Sequence, residues 1–150
     1  MFSYTLRIKS PPTNIWDALT HPEQMKQWMG EPEMHLEINT DWAVGKPIVI
    51  RGFHHAHFEN TGVVLLYEPF LLLSYSALSS VSRLPDMPEN YSVLTFQLTP
   101  VEHETDITIT VRNFPTETIF KHLEFYWRTA LHLLKQFVEQ KHIPQHDPFH

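Results

Sequence analysis

The sequence predicts an α+β domain in which helices pack on one face of an antiparallel sheet. Apolar side chains recur at every second position through much of residues 33–113, as in strands. Residues 117–141 carry them with the 3.6-residue period of a long helix. A chain of 150 residues is long enough for one hydrophobic core. We therefore expect a single domain over residues 1–141, followed by a loose, proline-containing tail at 142–150.

The N-terminal elements are one strand and two short helices. Apolar and polar side chains alternate over residues 2–9, which indicates a half-buried strand that ends at Pro11-Pro12. A short helix around Trp16 follows. Pro22 suits the first turn of a second helix, which is expected to end at Gly30.

The middle of the chain reads as a run of strands, and the end as one helix. Turn-forming residues separate strands that are expected at about 33–38, 46–54, 57–67, 70–79, 91–99 and 104–113. The last two strands have one apolar and one polar face, as in an antiparallel sheet with one solvated side. The helix at 117–141 would extend about 37 Å, enough to cross the whole domain.

Composition excludes several classes of function. The absence of cysteine excludes disulfides, thiolate metal sites and a cysteine nucleophile. The four glycines match neither the dinucleotide-binding nor the P-loop pattern. A net charge of -6 argues against nucleic-acid partners. Without a secretion signal or an apolar run of membrane length, we expect a cytoplasmic protein with no membrane insertion and no cofactor.

Four segments carry a resemblance to a known family. They are IWDALTHPE at 15–23 with QWM at 27–29, WAVG at 42–45 with PIV at 47–49, PDMPENY at 85–91, and Trp127, Leu131, Leu134-Lys135 and Glu139 in the last helix. Together they resemble the AHSA-like family, related to the activator of heat shock protein 90 ATPase, within the START-like (SRPBCC) superfamily. The resemblance implies a helix-grip fold, in which a curved antiparallel sheet of about six to seven strands wraps the C-terminal helix around a cavity.

The resemblance also implies candidate ligand contacts. Members of the superfamily include binders of hydrophobic or lipid-like molecules, and a cavity under the last helix suits such a ligand. The residues expected to line it are Trp28, Phe53, Tyr75, Phe96, Asn113, Trp127 and Leu131. The alternative for these side chains is that they fill the core, as aromatic residues commonly do. Arg51 would fix an acidic head group if its strand turned it inward.

Other functions have thinner support. His55, His57 and Glu59 would share one face of a regular strand and could bind zinc or iron, but we favour an exposed hairpin there. The long helix carries Phe125, Tyr126 and Leu133 off its main stripe, a possible surface for a homodimer or a chaperone. A co-chaperone-like or stress-response module is therefore the first alternative. A cavity enzyme such as a cyclase or hydrolase is the second, although no catalytic motif is present and no catalytic residue is assigned.

Overall fold

The computed structural model describes residues 1–141; the predicted tail at 142–150 lies outside this range. Its elements are β1 (Phe2–Ile8), α1 (Pro12–Thr20), α2 (Pro22–Met29), β2 (Glu37–Asn39), β3 (Pro47–Phe53), β4 (His57–Glu68), β5 (Leu72–Ser79), β6 (Ser92–Val101), β7 (Glu104–Arg112) and α3 (Glu117–Lys141). The strands form one antiparallel sheet in the order β1-β7-β6-β5-β4-β3-β2. The predicted fold class is confirmed.

The largest difference from the sequence prediction is the short second strand. The alternation over residues 33–38 predicts a strand, but Pro32–Met34 forms a turn of 3-10 helix and His35 adopts a left-handed φ of 48°. Only Glu37–Asn39 pairs with β3. A proline early in the segment favours the helical turn and delays the strand.

A break in pairing lies between β4 and β5. A Cβ at Gly62 would lie 1.7 Å from the carbonyl oxygen of Ser76, so only glycine permits this approach of the two backbones. The hydroxyl of Ser76 accepts a hydrogen bond from the backbone N–H of Val63 at 3.1 Å. The register then shifts between Val64 and Leu66. Irregularities of this kind increase local bend and twist, which suits a sheet that curves around a helix.

Helix α3 closes the free edge of β1. The ammonium group of Lys135 donates a hydrogen bond to the carbonyl of Arg7 at 2.8 Å, and the backbone N–H of Lys9 donates to Glu139 at 2.8 Å. Burial opposes ionisation of Glu139, but the hydrogen bonds from Lys135 and Lys9 outweigh it and lower the pKa of this carboxyl. These contacts use backbone groups that an edge strand otherwise leaves unpaired.

The two faces of the sheet differ in composition. The concave face, which is covered by the helices, carries the apolar positions of every strand. The convex face carries polar and charged pairs, such as Arg51 with Glu59 at 2.7 Å. A hydrogen bond between Arg7 and Asp106 on the same face raises the pKa of the guanidinium and lowers that of the carboxyl.

Candidate functional site

Four of the predicted ligand contacts form one aromatic row beneath α3. The ring centroids of Trp28 and Trp127 lie 6.3 Å apart, those of Trp127 and Phe96 5.4 Å, and those of Phe96 and Tyr75 6.1 Å. We call Trp28, Tyr75, Phe96 and Trp127 the aromatic row; all four side chains are buried. Leu131, one turn beyond Trp127 on α3, is also buried. All five residues are thus buried, and their role as ligand contacts stays a prediction.

Hydrogen bonds hold the Trp28 end of the row and the neighbouring part of α3 in place. The indole N–H of Trp28 donates to the carbonyl of Ala18 at 2.9 Å, which ties α2 to α1. The hydroxyl of Tyr126 donates to the carbonyl of Met29 at 2.6 Å, which ties α3 to α2. Tyr126 was predicted to lie on an outward patch, and that prediction is wrong. Its position at the border of the apolar stripe turns it towards α2.

Two predicted contacts, Phe53 and Asn113, lie apart from the row. Phe53 is 44 % exposed at the end of β3, where strand alternation puts it on the convex face with Arg51. Asn113 follows β7 with a left-handed φ of 66°, and its amide donates hydrogen bonds to the carbonyls of Glu89 and Tyr91, both at 2.7 Å. It holds the linker between β5 and β6 in place.

Trp42 and Tyr67 extend the row and were missed from the sequence. The ring of Trp42 stacks on Tyr67 with centroids 6.0 Å apart and lies 6.0 Å from Tyr75. Its indole N–H donates to the carbonyl of Thr20 at 2.7 Å. Trp42 lies in a loop, so no periodicity signals its direction. Tyr67 follows the register shift in β4, which moves it to the concave face against simple alternation.

The burial of the apolar side chains of α3 changes along the helix. All the buried side chains of α3 come from Trp127 onwards, whereas Phe120 and Leu123 in its first half are only half-buried. Ser92 donates a hydrogen bond to the carbonyl of Asn113 at 2.7 Å, which joins the start of β6 to the segment that leads into α3. Around Ser92, small residues replace large ones on the concave face of three adjacent strands. We call Gly62, Ala77 and Ser92 the open end.

Surface clefts lie away from the aromatic row. One, of about 360 Å³, is lined by residues between Lys26 and Leu36, around the end of α2. Another, of about 280 Å³, lies at the β6–β7 turn beside Arg7. Neither cleft includes a residue of the row or of the open end. The row itself is packed as a core.

Charge is absent from the sheet positions that face α3. Every such position in residues 1–141 carries an apolar, hydroxyl, amide or glycine residue. Arg51, a candidate for an inward cation, lies instead on the convex face, where its hydrogen bond to Glu59 raises its pKa. Tyr75 is the buried polar group of the row. Burial, with a smaller contribution from nearby Tyr126, raises the pKa of its hydroxyl.

The histidine-rich hairpin does not assemble the suggested metal site. β3 ends at Phe53 and β4 begins at His57, so the alternation that would align His55, His57 and Glu59 is interrupted by the turn. His55 has a left-handed φ of 64°, and Glu59 is paired with Arg51. Within residues 1–141, no three His, Cys, Asp or Glu side chains are grouped to hold a metal ion.

Comparison with known proteins agrees with this architecture. The sequence model of the family described as "Activator of Hsp90 ATPase homolog 1-like protein" matches residues 9–139. The chain belongs to this family. The resemblance drawn from the four sequence segments is thereby confirmed. No curated protein matches the sequence.

Solved structures of this family's fold come from several bacteria. A protein of Cytophaga hutchinsonii, solved in solution, is 33% identical, with a TM-score of 0.74 over 94% of this chain and 96% of its own. A Chromobacterium violaceum protein is 16% identical, with a TM-score of 0.75 over 93% and 99% of the two chains. An Arthrobacter aurescens protein is 17% identical, with a TM-score of 0.76 over 99% and 91%. The last two show the shared fold alone.

Among residues 1–141, no helix has the length and hydropathy that a membrane-spanning helix requires. The prediction of cytoplasmic localisation goes further than this finding and stays a prediction.

Proposed function

We propose that the protein binds a small, uncharged, mostly apolar molecule at the open end of the concave face. The observation that carries this proposal is the change along α3 from buried to half-buried apolar side chains. Phe114 and Phe120 meet edge to face, with centroids 4.7 Å apart, yet both remain partly exposed. In the proposed site they cover the glycine, alanine and serine of the open end. An apolar ligand would cover the apolar surface that these side chains leave exposed.

The energetics favour such an occupant. Removing apolar surface from water contributes about 25 cal/mol per Å². A ligand that buries the exposed parts of Phe120 and Leu123 therefore gains a favourable free energy of binding. Small residues beneath them limit the loss of protein packing when the helix shifts to admit a ligand. The aromatic row then serves as the rigid floor on which the site is built.

The lack of charge on this face selects against ionic ligands. A buried carboxylate or ammonium group without a counterion is strongly destabilised. Within residues 1–141, no side chain of the concave sheet face supplies such a counterion. The hydroxyl of Tyr75 can instead donate to or accept from a neutral polar group. The proposed ligand therefore carries a hydroxyl, carbonyl or ether oxygen on an apolar body.

A fluorescence titration tests the site. N-phenyl-1-naphthylamine, a neutral apolar dye, is added to the protein and to the variant Ala77→Trp, which fills the open end. We expect saturable dye binding that the variant weakens at least about tenfold. The matched control is Gln97→Trp, on the convex face of β6, which should bind as the parent does.

Two results would reject the proposal. One is dye binding that is equal in the parent and in folded Ala77→Trp; the other is no saturable binding at all. If Ala77→Trp fails to fold, Ser92→Leu replaces it as the filling variant. Circular dichroism and thermal melting establish the folded state of each protein.

The family description supports a second candidate, interaction with an Hsp90-class chaperone. Exposed Phe70 and Leu71, in the turn between β4 and β5, offer apolar surface for such a contact. Isothermal titration with a purified Hsp90-class chaperone tests it. Binding that Phe70→Glu abolishes would favour this function, and no measurable heat would reject it. Among residues 1–141, the concave sheet face carries no carboxylate or imidazole side chain that could act as the acid or base of the cavity-enzyme alternative.

A further inference from the structure

The open end lies between two polar positions of the concave face. Along β5, Tyr75 comes two residues before Ala77 and Ser79 comes two residues after it, so the three side chains share one face of the strand. Four residues of strand extend over about 13 Å. The small residues of the open end are thus bounded by a phenol hydroxyl on one side and by the polar residues around Ser79 on the other.

Asn60 of β4 supplies an amide at the second of these positions. It pairs with Ile50 of β3 and with Ser79 of β5, and residues directly opposite each other on paired strands share a face. Ile50 is buried in the core, so the half-buried side chain of Asn60 also belongs to the concave face. The intervening Glu59 lies on the convex face with Arg51, as strand alternation requires.

An amide at this position is costly for the fold. Asn60 lies opposite Ile50 and two residues after Phe58, and both of these side chains contribute to the core. Asparagine is disfavoured in strands, and partial burial of an amide lowers stability unless the amide is hydrogen-bonded. A β-branched apolar residue would suit both the strand and the core better. The amide is therefore better explained by recognition than by packing.

Other polar side chains near the open end bind backbone groups of the protein. The hydroxyl of Ser79 accepts a hydrogen bond from the N–H of Val81 at 3.2 Å, and that of Ser92 donates to the carbonyl of Asn113 at 2.7 Å. These groups hold turns and linkers in place. Asn60 instead lies within a paired strand, where its amide offers both donors and an acceptor to the concave side.

We propose that the amide of Asn60 binds a second polar group of the ligand, at the end opposite to the group that meets Tyr75. This inference rests on the proposed function, because it assigns a contact within the same site. The ligand is then a neutral molecule with a polar group at each end. Its apolar body lies over Gly62 and Ala77.

The role of Asn60 is to set specificity. In a purely apolar site, a second hydroxyl on the ligand weakens binding, because it leaves water without gaining a new partner. An amide that receives this hydroxyl removes the penalty. A ligand without the second hydroxyl then leaves the amide unpaired, and sites built to hydrogen-bond a ligand group discriminate strongly against analogues that lack it.

Two alcohols of equal length test the assignment. Decane-1,10-diol and decan-1-ol share a ten-carbon body and differ in one terminal hydroxyl. Displacement of N-phenyl-1-naphthylamine from the parent protein measures the affinity of each. We expect the diol to displace the dye at a concentration at least about threefold lower than decan-1-ol does. The hydrophobic effect alone predicts the opposite order, because the diol is the more soluble in water.

Asn60→Leu keeps the size of the side chain and removes the amide. Decan-1-ol should bind this variant as tightly as the parent or more tightly, whereas the diol should bind about tenfold more weakly. The order of the two ligands then reverses. Gln97→Leu makes the same chemical change on the convex face of β6 and should keep the order seen in the parent.

The possible results separate this inference from the proposed function. Failure of decan-1-ol to displace the dye from the parent would reject both. Tighter binding of decan-1-ol than of the diol by the parent would reject only the contact with Asn60. An unchanged order in folded Asn60→Leu, or an equal loss of both ligands, would also overturn that contact. If circular dichroism shows that Asn60→Leu does not fold, Asn60→Val replaces it.

Discussion

The two halves of α3 cover the same sheet but pack against it differently. From Trp127 onwards, the apolar side chains of the helix are buried, Trp127 packs against Phe96 of β6, and the last turns are tied to β1 by Lys135 and Glu139. In its first half, Phe120 and Leu123 remain half-buried. One half thus supplies stability, while the other retains apolar surface that a ligand could cover.

The largest expected difference in stability is between substitutions on the buried face and on the exposed face of α3. Trp127→Ala should lower the free energy of unfolding by about 3–5 kcal/mol, because it leaves a cavity beside Phe96 and Trp28. Phe125→Ala, two residues earlier and exposed, should change it by less than about 0.5 kcal/mol. Urea unfolding of both variants measures the difference. Similar losses would mean that the two faces are not distinguished by burial.

Substitution of Gly62 measures how much the close approach of the β4 and β5 backbones contributes to the stability of the fold. Gly62→Ala should destabilise the protein by about 1–3 kcal/mol, because the added methyl group would collide with the carbonyl of Ser76. Gly45→Ala is the control: it has a positive φ of 85° but open space around the new Cβ. Its cost should be about 1 kcal/mol, from the backbone alone. Thermal melts compare the two.

The ligand's charge can be varied without changing its body. Decan-1-ol and decanoate differ in the head group, and the alcohol should displace the bound dye at roughly tenfold lower concentration at pH 8. The reason is the desolvation of the carboxylate on a face without a counterion. Preferential binding of decanoate would show that a cation reaches the site.

Substitution of Tyr75 distinguishes an effect on stability from an effect on ligand binding. Tyr75→Phe keeps the buried ring and should lower the free energy of unfolding by no more than about 1.5 kcal/mol. Decan-1-ol should bind this variant about two- to tenfold more weakly if the hydroxyl contacts the ligand. A clear loss of stability without a change in affinity would assign the hydroxyl to the core instead.

The smallest change in stability is expected from Glu139→Gln, near the C-terminal end of α3. Its carboxyl has a lowered pKa, so it stabilises the fold above its ordinary pKa near 4.5, and this contribution is lost as the pH falls through the lower folded value. The variant should be less stable than the parent by up to about 1 kcal/mol at pH 7 and equal to it at acidic pH. Urea titrations at several pH values measure both. A difference that persists at acidic pH would argue against linkage to this proton.

Sequence reasoning succeeded where periodicity is regular. The helical stripe placed Trp127 and Leu131 in the core, and strand alternation placed Tyr75 and Phe96 on the concave face. It failed where the chain leaves a regular element. Asn113 follows the end of β7 in a left-handed conformation, and the alternation assumed for His55 and His57 is broken by a turn.

The amino-acid sequence by itself determined the order of elements, the apolar faces and the family, because these follow from local periodicity and motif residues. Only the tertiary structure decided how the faces meet. The register shift in β4 brought Tyr67 inward, and a loop delivered Trp42 onto Tyr75. Arg51 turned outward to Glu59. Such placements depend on pairing between distant segments, and a one-residue shift in register reverses the direction of every side chain that follows.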